Sequence, residues 1–280
     1  MREITCSQGD VGERRYALLS VAGEGATGVV HRGVEAKSGR PVAVKVYKPF
    51  PAHDPVWERR FLEETHALTR LVDRRTACVL DFGKSAEGPL FLATEWVEGS
   101  SLKEVLAAAG RLAPARVATI VAQVCESLTA AHGLGMLHHG LKPSNILLHA
   151  GPGGEEVKVR DYLYARLWQQ ANAAITQPGV LVGDPPYFTP EQARGRRLDQ
   201  RSDLYALGVI AYEALAGRQP FASRSPIDIL SMHVLEPPPP LPGVPSPVAA
   251  LVLRCLAKDM ASRPPDAAAL AAEFLRAVGG

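Results

Sequence analysis

Over its first hundred residues the chain carries apolar positions in short blocks cut by glycines, and over the rest it carries them at helical spacing. Residues 16–22, 29–36 and 41–47 are rich in Val and Ala and bounded by glycine turns, which predicts three strands in an antiparallel meander. Residues 55–71 switch to helical periodicity, with Trp57, Phe61, Leu68 and Leu71 on one side and charges on the other. Two more short strands are predicted at 78–82 and 90–96.

The character changes after Glu98-Gly99-Ser100. Residues 102–109 and 114–132 read as Ala/Leu-rich helices with long hydrophobic faces, and 203–216 and 247–256 as the core of a mainly helical second half. The run 237–240 is four prolines and predicts a stiff extended connector. The expected organisation is an extension over 1–15, a first lobe over 16–98 and a second over 99–280.

Composition narrows the function classes. At 280 residues the chain can bury a substantial core without metal or disulfide support. A net charge of +2 points to neither nucleic acid nor a membrane surface. Cys6, Cys78, Cys125 and Cys255 are too scattered for a zinc site or a disulfide framework, which suggests a reducing, cytoplasmic setting. The most apolar stretch, 204–217, is too short for a membrane span and contains Glu213, and the N-terminus does not read as a signal peptide.

The first chemical signal is Gly23-Glu24-Gly25-Ala26-Thr27-Gly28-Val29-Val30, a GxGxxGxV string between two predicted strands. Glycines there let backbone N–H groups approach phosphates, although a short glycine hairpin alone also fits an ordinary turn. Val42-Ala43-Val44-Lys45 on the next strand changes the balance, because Lys45 follows three apolar residues rather than sitting as a solvated edge charge. In the helix that follows, Glu63 and Glu64 are both candidates to pair with this lysine; Glu64, three residues after Phe61, fits better.

The second half carries His138-His139-Gly140-Leu141-Lys142-Pro143-Ser144-Asn145-Ile146-Leu147-Leu148. With the glycine string and Lys45, it resembles the bacterial eukaryotic-like Ser/Thr protein kinases, whose catalytic loop reads H-R-D-L-x-x-x-N. The resemblance runs from Tyr16 to about Val278. It implies an α+β, bilobal protein-kinase-like fold with a small antiparallel-sheet N-lobe and a mainly helical C-lobe, forming one kinase-like domain.

The same resemblance implies the site residues. Gly140 falls five residues before Asn145 and so occupies the position of the catalytic aspartate, while Lys142 is retained. Gly23, Glu24, Gly25, Gly28, Val30, Ala43, Lys45 and Glu64 would serve ATP, backbone groups of Glu95 and Val97 would meet adenine, and Leu147 would supply apolar contact. Asn145 and Asp161 would hold Mg²⁺. Asp161 heads Asp161-Tyr162-Leu163, the positional equivalent of D-F-G, with a turn cap as its alternative reading. Asp81-Phe82-Gly83 spells the motif but precedes the catalytic loop and is expected to be a strand decoy.

Gly183 to Glu191 resembles the G-T-x-x-Y-x-A-P-E close of the activation segment, with Asp184 where the family holds a threonine that bonds the catalytic aspartate and Lys142. His139 replaces the arginine that reads a loop phosphate, and with Thr176 the loop's only clear phosphoacceptor, switching by activation-loop phosphorylation is not expected. Asp203 and Arg263, the latter paired with Glu191, are expected to be structural. The function implied is a pseudokinase that binds ATP and Mg²⁺ and acts as a nucleotide-dependent binding or regulatory module toward a protein partner or an attached regulatory domain. The alternative is a weakly active Ser/Thr kinase moving the γ-phosphate to protein hydroxyls.

Overall fold

In the computed structural model the described residues are 2–6, 14–25, 27–48, 55–85, 88–162 and 183–279. The chain divides into two compact units, one made of Met1–Asp73 and Ala77–Glu98, the other of Arg74–Thr76 and Gly99–Gly280.

The first unit is built on a six-stranded antiparallel sheet in the order β1-β2-β3-β4-β6-β5. Its strands are β1 (Arg2–Cys6), β2 (Arg14–Gly25), β3 (Gly28–Glu35), β4 (Pro41–Tyr47), β5 (Val79–Lys84) and β6 (Leu90–Glu95). The predicted meander is present as β2-β3-β4. β1 was expected as part of an extension, because five residues with one large aliphatic side chain give no readable alternation; it pairs with Tyr16 through the register Ile4↔Tyr16. Val42 and Val44 point into a core with Tyr16, Leu18, Phe91 and Ala93. The two-residue period therefore sends Ala43, Lys45 and Tyr47 to the opposite face.

Helix α1 (Pro55–Leu68) meets that opposite face, since the Phe61 ring stands edge-on to Tyr47 at 5.1 Å and stacks on Trp57 at 5.9 Å. It ends three residues earlier than the periodicity predicts. The Thr69 hydroxyl takes the His66 carbonyl, and Leu71 bonds back to Leu68 in a tighter turn.

The second unit is mainly helical. It contains α2 (Leu102–Ala109), α3 (Pro114–Gly133), the four-residue α4 (Pro190–Ala193), α5 (Gln200–Ala216), α6 (Pro226–Leu235), α7 (Ser246–Cys255) and α8 (Ala267–Gly279). Helix α5 is buried continuously from Ser202 to Tyr212, so it is the core of the unit rather than an amphipathic surface helix. α3 packs against α8, and α5 against α7. A small sheet of β7 (Ser100–Ser101), β8 (Ile146–Gly151) and β9 (Gly154–Val159) carries the functional loops. This division into an antiparallel sheet and a helical unit is the expected α+β class.

Candidate functional site

In the first unit the glycine string forms the end of the β2–β3 hairpin, with Gly23↔Val30, Glu24↔Val29 and Gly25↔Gly28 in register. The strand runs on through Gly25, where the sequence suggests a turn from Gly23, because glycine pairs in a ladder as well as any residue when nothing crowds it. The glycines differ in what fixes them. A Cβ at Gly28 would stand 2.2 Å from the Val46 carbonyl oxygen, so only glycine lets β3 approach β4 there. A Cβ at Gly23 or Gly25 would meet nothing within 4 Å.

Lys48 holds this hairpin end against β4, donating its backbone N–H to the Thr27 carbonyl and its ammonium to Glu24 at 2.7 Å. That hydrogen bond and charge lower the Glu24 pKa. Glu24 thus has a protein cation as its side-chain partner, and what it can offer a nucleotide is backbone. Lys48 carries no motif signature and was invisible in the sequence.

Val30 and Leu92 lie directly across from Lys45 in the ladder, and Ala43 is two residues along the same face. The Lys45 ammonium sits 5.3 Å from the centre of the Tyr47 ring. On α1, Phe61, Thr65 and Leu68 are buried, Glu64 borders that face half-buried, and Glu63 is exposed, the order expected from the helical period. At the end of β6 the Glu95 N–H donates to the Cys78 carbonyl, so an adenine contact at this residue falls to its carbonyl. Val97, two residues on, is half-buried.

In the second unit the catalytic-loop string is assembled around Asp203 of α5. This carboxylate accepts the backbone N–H of His138 at 2.8 Å, that of His139 at 2.9 Å, and the imidazole of His132 at 2.9 Å. Burial would raise the Asp203 carboxyl, but the His132 hydrogen bond and the surrounding imidazoles hold it below the ordinary range. His138 is buried, its Nε2 donates to the Arg160 carbonyl at 3.1 Å, and burial lowers its pKa. His139 adopts φ 62°, a left-handed conformation made tolerable by the Asp203 bond on its N–H and a Gln192 bond on its carbonyl.

Gly140 is fixed through its backbone at both ends. Its N–H points to His138 Nδ1 at 3.4 Å and its carbonyl accepts from Asn145 Nδ2 at 3.0 Å. That bond leaves the amide oxygen as the end of Asn145 that can meet a metal. The β8–β9 hairpin brings Asp161 to the same place: Ile146 pairs with Val159, and the Arg160 N–H donates to the Asn145 carbonyl at 3.0 Å. Leu147, half-buried, follows on β8. Among the described residues no group of three or more His, Cys, Asp or Glu is placed to hold a metal. An amide oxygen and one carboxylate suit Mg²⁺ that completes its shell with phosphate and water.

Asp161 has φ 69°, and the next residue is anchored by a chain of buried hydroxyls that the sequence did not reveal. Tyr162 OH lies 2.6 Å from Ser127 Oγ, which lies 2.7 Å from Thr76 Oγ1, while the Tyr162 ring packs on His138 at 4.5 Å. Asp81 instead lies on β5, where it accepts hydrogen bonds from the Tyr16 hydroxyl at 3.1 Å and the Phe82 N–H at 2.9 Å. Leu163 and Thr176 lie outside the described residues.

Past them, Lys142 forms an ion pair with Asp184. Glu191 and Arg263 make a bidentate pair at 2.8 and 2.9 Å in the interior. Burial pushes the Glu191 carboxyl up, and the guanidinium more than offsets it.

The model of the protein kinase domain matches residues 16–275. The chain belongs to the protein kinase family. The kinase domain is 39% identical over 269 residues to serine/threonine-protein kinase pkn3 of Myxococcus xanthus, covering 93% of this chain and 49% of that relative. It is 34% identical to serine/threonine-protein kinase PknB of Mycobacterium tuberculosis, covering 95% of this chain and 43% of PknB. The chain therefore spans about half the length, or less, of these relatives. The crystal structure of the Mycobacterium tuberculosis PknI kinase domain superposes with a TM-score of 0.72 at 26% identity, covering 94% of this chain and 96% of that one. These relatives place the kinase domain among bacterial eukaryotic-like Ser/Thr kinases. Among the described residues no helix is long and apolar enough to cross a membrane.

Proposed function

We propose that this kinase domain binds ATP with Mg²⁺ and has lost its ordinary catalytic base, acting chiefly as a nucleotide-dependent binding or regulatory module for a protein partner or an attached domain. The observation that carries the reading is Gly140. It occupies a loop whose backbone bonds to His138, Asn145 and Asp203 are all in place, yet it brings no side chain to the position the family gives to aspartate. Loss of a general base costs on the order of 100- to 10,000-fold in rate.

Nucleotide binding is supported by the bare glycines Gly23 and Gly25, which no protein atom requires, and by Val30, Ala43 and Lys45 sharing one sheet face. Glu64, Glu95, Val97 and Leu147 would complete the nucleotide contacts, with Asn145 and Asp161 on Mg²⁺. Residues 16–98 and 99–280 would act as the two lobes of one domain. The free thiols of Cys125 and Cys255 suit a reducing, cytoplasmic setting.

ATP at 100 times its dissociation constant should raise stability by about 2.7 kcal/mol, and by less without Mg²⁺. A thermal melt that does not move at millimolar ATP overturns the reading. A second reading, a slow Ser/Thr kinase, is favoured by one contact, the Lys142–Asp184 pair, which leaves a carboxylate beside the lysine of the catalytic loop.

A further inference from the structure

We propose that Asp184 is a relocated catalytic carboxylate, taking over from residue 140 the handling of the acceptor hydroxyl. This deepens the second reading above and rests on it. Position 140 has no side chain and position 184 has an acidic one, and the structure brings that acid to Lys142, two residues from the vacancy. The number of carboxylates beside the lysine is thereby kept at one, with the donor changed from the catalytic loop to the segment facing it.

The placement is built rather than incidental. Gly183 takes φ 125°, and a Cβ there would lie 2.5 Å from the Phe188 ring, so the turn that delivers Asp184 requires glycine. Immediately after it Pro185–Tyr187 forms a 3-10 turn, with the Tyr187 N–H on the Asp184 carbonyl at 3.0 Å. Tyr187 then donates to Glu213 at 2.7 Å and accepts from Gln219, and the Pro186 carbonyl accepts from His233, which fixes this turn on α5 and α6. Thr189 and Gln192 form a capping box on α4, and Gln192 reaches the His139 carbonyl at 2.8 Å, tying the same segment to the catalytic loop.

All this backbone order ends in an ion pair that is more than a third exposed on both sides and contributes little stability as such. A positioned, partly exposed carboxylate next to a lysine is what phosphoryl transfer to a hydroxyl uses. In the step, the Ser or Thr hydroxyl oxygen of a protein acceptor forms a bond to the γ-phosphorus of ATP as its proton passes to Asp184. The bond from that phosphorus to the β,γ-bridging oxygen breaks, and ADP leaves with the electron pair. Lys142, released from Asp184 as the proton arrives, is left to face the phosphoryl oxygens.

The test compares wild type, Asp184→Asn, Asp184→Thr and the swap Gly140→Asp/Asp184→Thr, using γ-labelled ATP with Mg²⁺ and a generic basic protein acceptor. Each protein's melting temperature with and without ATP is recorded alongside. Slow transfer by wild type, a fall of about 100-fold or more in both single variants, and recovery in the swap are expected. Transfer unchanged or raised in Asp184→Asn overturns the proposal, the latter outcome showing Asp184 to be a restraint on Lys142. Wild type that is stabilised by ATP but transfers no label also overturns it while leaving nucleotide binding standing. Absence of both overturns the two readings together.

Discussion

Asp81-Phe82-Gly83 and Asp161-Tyr162-Leu163 are the two places in the chain where an aspartate precedes an aromatic residue, and the backbone treats them in opposite ways. The first is paired across to β6 and its carboxylate is turned to Tyr16 of β2. The second follows a hairpin that aligns it with Asn145, sits in a left-handed conformation, and leads into a ring locked from below by Ser127 and Thr76. The letters match the family's motif at the first, and at the second the hairpin sets an aspartate next to Asn145. On the proposed reading those surroundings suit the second carboxylate to a metal, while the first serves the sheet through Tyr16 and the Phe82 N–H.

The strongest way to break this contrast is by exchange of charge. Asp161→Asn should abolish the Mg²⁺-dependent part of the ATP-induced melting shift, whereas Asp81→Asn should leave it intact; equal behaviour of the two variants would refute the assignment.

The next effect is acid sensitivity centred on the second unit. His138, beneath the Tyr162 ring, and His233, bonded to Tyr205 and Pro186, are both held neutral by burial, His233 at a pKa of about 4. Their folded values lie below the ordinary one, so the unfolded chain takes up protons first. Stability is then full above about pH 6.5 and falls as pH drops toward 4, by roughly 3 kcal/mol from His233 alone. Denaturant unfolding followed between pH 7 and 4 checks the slope, and His233→Gln should flatten it.

A smaller change separates the two aromatic anchors. Tyr162→Phe removes one of the two partners of the buried Ser127 hydroxyl, leaving Thr76, and should cost about 1 kcal/mol, whereas Phe82 has no hydroxyl to lose. The smallest is Asp81→Asn itself, expected to cost below about 1 kcal/mol for a weakened Tyr16 bond, read by chemical denaturation.

Much of the fold was legible because its periods are strong. The alternation through Val42 and Val44 fixes which face carries Lys45, and the spacing Phe61–Thr65–Leu68 puts Glu64 at the edge of the buried face and Glu63 in solvent. β1 and β7 were not, since two to five residues cannot display a period, and α6 and α8 were passed over beside the more continuous apolar run of α5. At the site, residue types and spacings led to Gly140, Asn145 and Asp161, because a loop of fixed length keeps its count. The contacts of Lys48, Gln192 and Tyr162 were hidden for the opposite reason. Each joins residues that sequence distance holds apart, His139 and Gln192 by 53 positions and Ser127 and Tyr162 by 35, and only the folded backbone closes those intervals.

Residues Arg74–Thr76 precede the end of the first unit in the chain yet belong to the second, where Arg75 contacts Glu126 at 3.1 Å and Glu156 at 3.3 Å and its carbonyl accepts the Val159 N–H. A half-protein starting at residue 99 would therefore lack a piece of its own interior. It would face two carboxylates with no guanidinium, an open edge at Val159, and a Ser127 hydroxyl with one neighbour fewer. Circular permutation that carries this tripeptide across, or the peptide supplied separately, is what would let the helical half stand alone, and a simple cut at the boundary is not.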